Sequence, residues 1–180
     1  MMRYLKTNDP LLLAAKLIVG FAIGIMIFAM VMVGIGLGAV ATVQRAELLA
    51  KLAEVGAPSS MIWLFGLALV LIFALLFLGV RFTLELSGII NSVGTGDPFQ
   101  PKNGQRLGRM GWLALGIQAI GLVVAGIVRV LQPYAEKAGE KLDFGFGLDL
   151  GGILLALILF ILARVFRQGT AMREELEGTV

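Results

Sequence analysis

Reactive side chains are scarce in this chain of 180 residues. It contains no cysteine and no histidine. That removes thiolate nucleophiles, the imidazole base and the two commonest zinc ligands. Carboxylate, lysine, serine and tyrosine chemistry stays open, but an enzyme needs such groups to converge as a nucleophile with its base or as a metal site. The 12 acidic residues are scattered without a convergent pair. The expectation is a non-enzymatic protein with no cofactor and no metal. Asp143 and Asp149 could hold a cation, yet two carboxylates on one glycine-rich loop make a poor oxygen cage. Asp149 has a plainer role as N-cap of the helix that follows it. Gly34, Gly36 and Gly38 sit inside an apolar run, where they carry no nucleotide-binding signature.

The chemistry left to the charged residues is recognition. Lys102, Arg106 and Arg109 form one basic group, and Arg173, Glu174, Glu175 and Glu177 form a mostly acidic tail. If the tail is helical, its acids lie at the negative end of the helix dipole and favour fraying unless they meet a basic surface. The basic group supplies one, so tail and basic stretch are expected to dock as a unit. The opposing reading is a solvated, mobile tail. Just before the basic group, Arg81 and Glu85 have the spacing of an i,i+4 ion pair. Gly94, Gly96, Asp97 and Pro98 then force a turn. Phe99 follows, an aromatic in a polar turn that inserts at the membrane interface or between helix ends.

The elements that must position these groups are apolar. The chain is 58% hydrophobic and 15% charged, with a mean hydropathy of +0.93. Soluble domains run near 45–50% apolar and about 25% charged. An ordinary soluble enzyme, a disordered chain and a disulfide-stapled domain are excluded. A membrane span needs about 20 apolar residues, and only helices or closed barrels satisfy the backbone in lipid. Four runs qualify, at about 17–43, 61–80, 110–128 and 150–167. They are too long and uniform for barrel strands. The fourth is strictly apolar only to Ala163, but Arg164 and Arg167 can snorkel. The expected fold is all-α, a single four-helix transmembrane domain over residues 1–180. Ala39-Val40-Ala41 resembles a signal-peptidase site, but the apolar run before it is far longer than the about 7–15 residues of a cleavable signal.

Cationic residues set the orientation. Arg3, Lys6, Lys16, Arg81, Lys102, Arg106, Arg109, Arg164, Arg167 and Arg173 share one side; Arg45, Lys51, Arg129, Lys137 and Lys141 share the other. This bias puts both termini, the loop at 81–109 and the tail at 168–180 in the cytoplasm. The loops at 44–60 and 129–149 are then outside. The net charge of +3 reads as topology and lipid headgroup contact rather than direct nucleic-acid binding.

Lipid gives helices no hydrophobic reason to associate, so small residues mark packing faces. Gly20, Gly24, Gly34 and Gly38 fall on one side of the first span and are the candidate helix-packing face, against a background of glycine common in membrane helices. Gly111, Gly116, Gly121 and Gly126 step by five and wind around the third span. On the outer side, Gln44 to Val55 reads as an amphipathic helix with Leu48, Leu49, Leu52 and Val55 on one face and a Glu47–Lys51 pair. Leu142 to Leu150 alternates apolar and polar residues. It is read as an extended linker or, alternatively, as a strand that pairs with a second copy to give a homodimer.

Two stretches resemble a known group. Gly96-Asp97-Pro98-Phe99, Asn103, Arg106-Leu107 and Gly111-Trp112 resemble one signature of the bacterial four-span family called domain of unknown function 2975. Val165-Phe166-Arg167, Gly169, Arg173-Glu174, Glu177 and Thr179-Val180 resemble its C-terminal signature, with a small departure at Met172. The resemblance covers nearly the whole chain and implies a multi-pass protein of the bacterial inner membrane without established biochemical activity. Members are often encoded beside a small helix-turn-helix regulator. The resemblance therefore suggests a protein that binds or restrains such a regulator, through docking residues Asp97, Phe99, Asn103, Arg106, Arg109, Arg167, Arg173, Glu174 and Glu177. The alternative function is a small transporter or channel subunit formed by oligomerisation. Such pathways normally leave ionisable residues inside the membrane, whereas the spans hold Gln118 and, at an edge, Asp149.

Overall fold

A computed structural model describes residues 10–42, 44–140 and 149–177. Among them the regular structure is entirely helical: α1 Pro10–Ala41, α2 Arg45–Glu54, α3 Met61–Gly94, α4 Pro101–Lys137 and α5 Leu150–Glu177. Four of these, all but α2, are long and apolar enough to cross a membrane. The helices outrun the apolar stretches that predict them. α3 has 34 residues and α4 has 37, so at about 1.5 Å per residue both exceed a hydrocarbon core of about 30 Å by some 20 Å or more. The expected loop at 81–109 is therefore mostly helix. Its connecting turn is residues 95–100. The alternating segment at 142–148 lies outside the described residues.

The chain divides into two compact units: Met1–Ile25, Gly79–Gly116 and Leu150–Val180 form one, and Met26–Leu78 with Ile117–Asp149 form the other. In the second, Met61 and Ala68 of α3 pack with Ile127 and Leu131 of α4, and Leu52, Phe65 and Tyr134 close over them. α2 behaves as its pattern predicts. Leu48, Leu49, Leu52 and Val55 are half-buried while its other side chains are exposed, and Lys51 pairs with Glu47 at 3.1 Å. At its end Gly56 takes φ +70°, and Ala57 N–H bonds back to the Leu52 carbonyl at 2.8 Å. That is a Schellman cap, which a residue with a Cβ would strain. Gln118, the polar residue of the third span, donates to the Asp149 carbonyl at 3.2 Å just before α5 begins.

In the first unit, Leu107, Met110 and Ala114 of α4 meet Ala156, Leu159 and Ala163 of α5. Both triplets step by three and then four, so each lines one helix face. Phe82, Leu86 and Ile89 of α3 pack against them. Close approach is made by glycine, but not by the stripe the sequence favours. Among the described residues, a Cβ at Gly20, Gly24 or Gly38 would meet nothing within 4 Å, and one at Gly34 would meet only the Phe73 ring at 3.9 Å. The α1 stripe is thus not a tight packing face within this chain; α1 buries only Val19. Among the described residues, the glycines that let α4 approach α5 closely are on α4. A Cβ at Gly104 would stand 2.9 Å from Arg167 Cγ and 3.4 Å from the Ala163 carbonyl oxygen, and one at Gly111 would stand 2.8 Å from the Phe160 ring. Gly108 lies between them, 4.0 Å from the Ala163 methyl. Residues 104, 108 and 111 share a face at helical spacing. The face is hidden in the sequence because it starts in the charged approach to the span, among Lys102, Arg106 and Arg109.

The two glycine sets respond differently to substitution. Gly104→Val forces a side chain against α5 backbone and is expected to cost about 1–3 kcal/mol. Gly24→Ala meets open space and is expected to be neutral or to stabilise by up to about 1 kcal/mol, since alanine favours helix. Thermal unfolding of the purified protein in one detergent measures both.

Candidate functional site

The polar groups of the first unit gather where α3 ends and α4 begins. α3 persists past Arg81 because Phe82, Leu86 and Ile89 give it an apolar face to bury. It stops at Gly94, and Gly96 takes φ +82°. Gly96 N–H then bonds the Val93 carbonyl at 3.0 Å and Asp97 N–H the Ser92 carbonyl at 3.2 Å. This is a second Schellman cap, and the positive φ is the reason for glycine at that position. The Thr95 hydroxyl donates to the same Ser92 carbonyl at 2.9 Å. Pro101 opens α4, a position that lacks an intrahelical N–H partner in any case.

Asn103 is the hub. It is 0% exposed. Its Nδ2 donates to Ser92 Oγ at 2.5 Å and to the Pro98 carbonyl at 2.8 Å, and its Oδ1 accepts from Arg106 Nη1 at 3.1 Å. The amide orientation is forced: a carbonyl can only accept and a guanidinium can only donate. Ser92 is free to accept because its own hydroxyl donates to the Ile89 carbonyl at 2.7 Å. One side chain therefore ties together the last turn of α3, the connecting turn and the first turns of α4. Among the described residues no buried side-chain nitrogen or oxygen lacks a partner.

Arg106 extends the network. Its Nη1 also donates to the Gly88 carbonyl at 2.8 Å. A Cβ on Gly88 would stand 2.6 Å from the guanidinium carbon, so the missing side chain is what lets Arg106 reach the α3 backbone. Glu85 sits between Arg106 Nε at 3.8 Å and Arg109 Nη1 at 3.3 Å. These cross-helix contacts replace the Arg81–Glu85 pair expected from spacing. The carboxylate turns toward two cations on α4, while Arg81 stays exposed.

The end of α5 docks on the same turn. Phe99 stacks on Phe166 with ring centroids 5.4 Å apart. The Thr170 hydroxyl is shared between the Phe99 carbonyl at 3.2 Å and the Phe166 carbonyl at 2.8 Å. A Cβ on Gly169 would come within 3.2 Å of the Phe99 ring. Arg173 Nη1 bonds Asp97 Oδ1 at 2.6 Å. Turn and tail thus meet, as expected, but with the charges reversed: the tail supplies the cation and the turn the anion. Arg106 and Arg109 face Glu85 instead of the tail acids. Glu174, Lys102 and the bulk of Arg167 remain exposed, Arg167 laying its Cγ near Gly104. Glu177 ends α5, and its side chain lies outside the described residues.

Of the nine expected docking residues, Asp97, Phe99 and Arg173 join the turn to the tail, Asn103 and Arg106 hold the turn to α3 and α4, and Arg109 pairs beside them. Gly88, Ser92 and Thr170 join them without having been singled out by sequence, and Glu85 joins them with partners other than the expected Arg81. Ser92 and Thr170 each bond a carbonyl of their own helix, a local habit that carries no sign of the long-range contact. A family model described as "Protein of unknown function (DUF2975)" matches residues 40–180. No curated protein and no solved structure matches the chain.

Removing the hub should cost more than removing the visible ion pair. Asn103→Leu strands the Ser92, Pro98 and Arg106 partners and is expected to lose about 1–3 kcal/mol of stability. Arg173→Gln breaks a contact whose side chains are 50% and 40% exposed and should lose under about 1 kcal/mol. Thermal denaturation of the two variants beside the parent gives the ranking.

Proposed function

The chain belongs to the DUF2975 family, a family of unknown function, and from that premise we propose that it is a non-enzymatic docking protein of the bacterial inner membrane. Its four long helices anchor it in lipid. The α3–α4 turn and the end of α5 form a platform that holds a small cytoplasmic regulator of the helix-turn-helix type, binding or restraining it at the membrane.

The observation that carries the reading is the anchoring of the tail. Phe99, Thr170 and Arg173 fix the last three turns of α5 against the turn. The segment is a held helix instead of a frayed one, and it presents Glu174, Gln168 and Met172 to solvent. Lys102 and Gln105 lie exposed on the first turns of α4 in the same unit. Internal bonds occupy Asn103 and Arg106, so these two shape the platform. Exposed charges of both signs are left to contact a partner, and such charges set specificity and association rate. The scarcity of ionisable residues inside the spans supports a scaffold over a transport pathway. The cytoplasmic placement of the platform follows from the cationic bias of that side.

Affinity purification of the full chain from membranes, with co-eluting proteins identified, tests the reading. A small helix-turn-helix protein is expected to co-elute. Glu174→Lys with Lys102→Glu should reduce its recovery by about tenfold, or roughly 1.4 kcal/mol, with no change in melting temperature. Equal recovery from the double variant would place the contact elsewhere. The orientation has its own test, since the chain is naturally free of cysteine. A membrane-impermeant maleimide should label Gln168→Cys only in inverted vesicles and Ala53→Cys only from the outer side.

A further inference from the structure

The second unit contains a groove that neither the docking platform nor the core packing uses. It has a volume of about 530 Å³ and runs between α1 and α3, with Leu37, Val40 and Ala41 on one wall and Ile62, Gly66 and Val70 on the other. Trp63 and Arg45 also line it. The size falls within the range of small-molecule sites, about 300–1,000 Å³. From Trp63 to Val70 it follows α3 for about 10 Å, at 1.5 Å per residue.

The mouth has a different chemistry from the walls. Trp63 is 71% exposed and begins the apolar run of α3, the place where tryptophan settles at the level of lipid headgroups. Arg45 stands 5.8 Å above its ring. A cation–π contact holds the guanidinium in place without consuming its N–H donors. Among the described residues no hydrogen bond or ion pair uses those donors. The neighbouring Lys51 is engaged by Glu47 at 3.1 Å, which leaves Arg45 as the cation at the groove. An apolar groove with an unneutralised guanidinium at its rim is complementary to a molecule with a hydrocarbon tail and an anionic head.

We propose that this groove is a binding site for an anionic phospholipid, one acyl chain lying between α1 and α3 and the phosphate on Arg45. The guanidinium fork fits phosphate oxygens in pairs, which a lysine ammonium does not. Gly66 leaves room on the α3 wall: a Cβ there would point into open space and meet nothing within 4 Å, so a large side chain at this position would enter the groove. The assignment does not depend on which side of the membrane this end occupies, because Arg45 and Trp63 lie on the same boundary in either orientation.

Native mass spectrometry of the full chain, released from bilayers of equal phosphatidylglycerol and phosphatidylcholine, tests it. The parent should retain one phosphatidylglycerol in preference to phosphatidylcholine by about fivefold, the ratio expected from one cation at a membrane surface. Arg45→Gln should keep a bound lipid but lose the preference. Gly66→Leu should fill the groove and lose the retained lipid, while Gly38→Leu, which does not line it, should behave as the parent. Equal retention of the two lipids by the parent, or an unchanged preference in Arg45→Gln, would overturn the headgroup assignment. Undiminished retention in Gly66→Leu would overturn the groove, and circular dichroism of each variant shows that the helices are intact.

Discussion

Asn103 occupies the position on which the ordered end of the first unit depends. It is a fully buried amide, and leaving such a group unpaired costs a few kcal/mol. The cost is avoided because three different parts of the chain present partners to it: Ser92 from α3, the Pro98 carbonyl from the turn and Arg106 from α4. Meeting all three fixes the angle at which α4 leaves the turn. Phe99 is then set where Phe166 can stack on it, and the α5 end acquires a surface to dock on. The exposed Arg173–Asp97 pair is a consequence of that placement more than its cause, since an ion pair in water contributes little by itself.

A second constraint is the close passage of α4 and α5. In lipid the apolar surfaces gain nothing by hiding from solvent, so packing itself has to hold helices together. Gly104, Gly108 and Gly111 remove the side chains that would keep the backbones apart, and Ala156 and Ala163 do the same from α5 at 1% exposure each. Leu107, Met110 and Leu159 fill the space beside them. α1 follows a different logic. With only Val19 buried, its apolar surface is mostly presented outward, and its open glycines are available to lipid. Gly66 on α3 is open in the same way, on the wall of a groove.

Much of the fold is legible in the sequence because a bilayer imposes a simple rule. A run of some twenty apolar residues must be a helix, since no other local structure satisfies the backbone there. The four long helices and the amphipathic α2 follow from that rule and from periodicity, and the turn at Gly94–Pro98 follows from residues that cannot continue a helix. The meeting of turn and tail is legible too, but its polarity is not. Counting charges matches the tail's acids to the basic stretch. The bonds formed depend on which residues face each other, and Glu85, about two and a half helical turns before the end of α3, pairs with Arg106 and Arg109.

By itself, then, the sequence determines element type, approximate span limits, the expected topology and the absence of thiol and imidazole chemistry. These depend on composition and on contacts no more than four residues apart. Tertiary structure alone decides which glycines are tight, which carboxylate meets which guanidinium, and that Arg45 shares a groove with Gly66 and Trp63. Each of these depends on the rotation and axial offset of one helix against another. That offset is set by the summed shape of many side chains, and no single spacing in the chain encodes it.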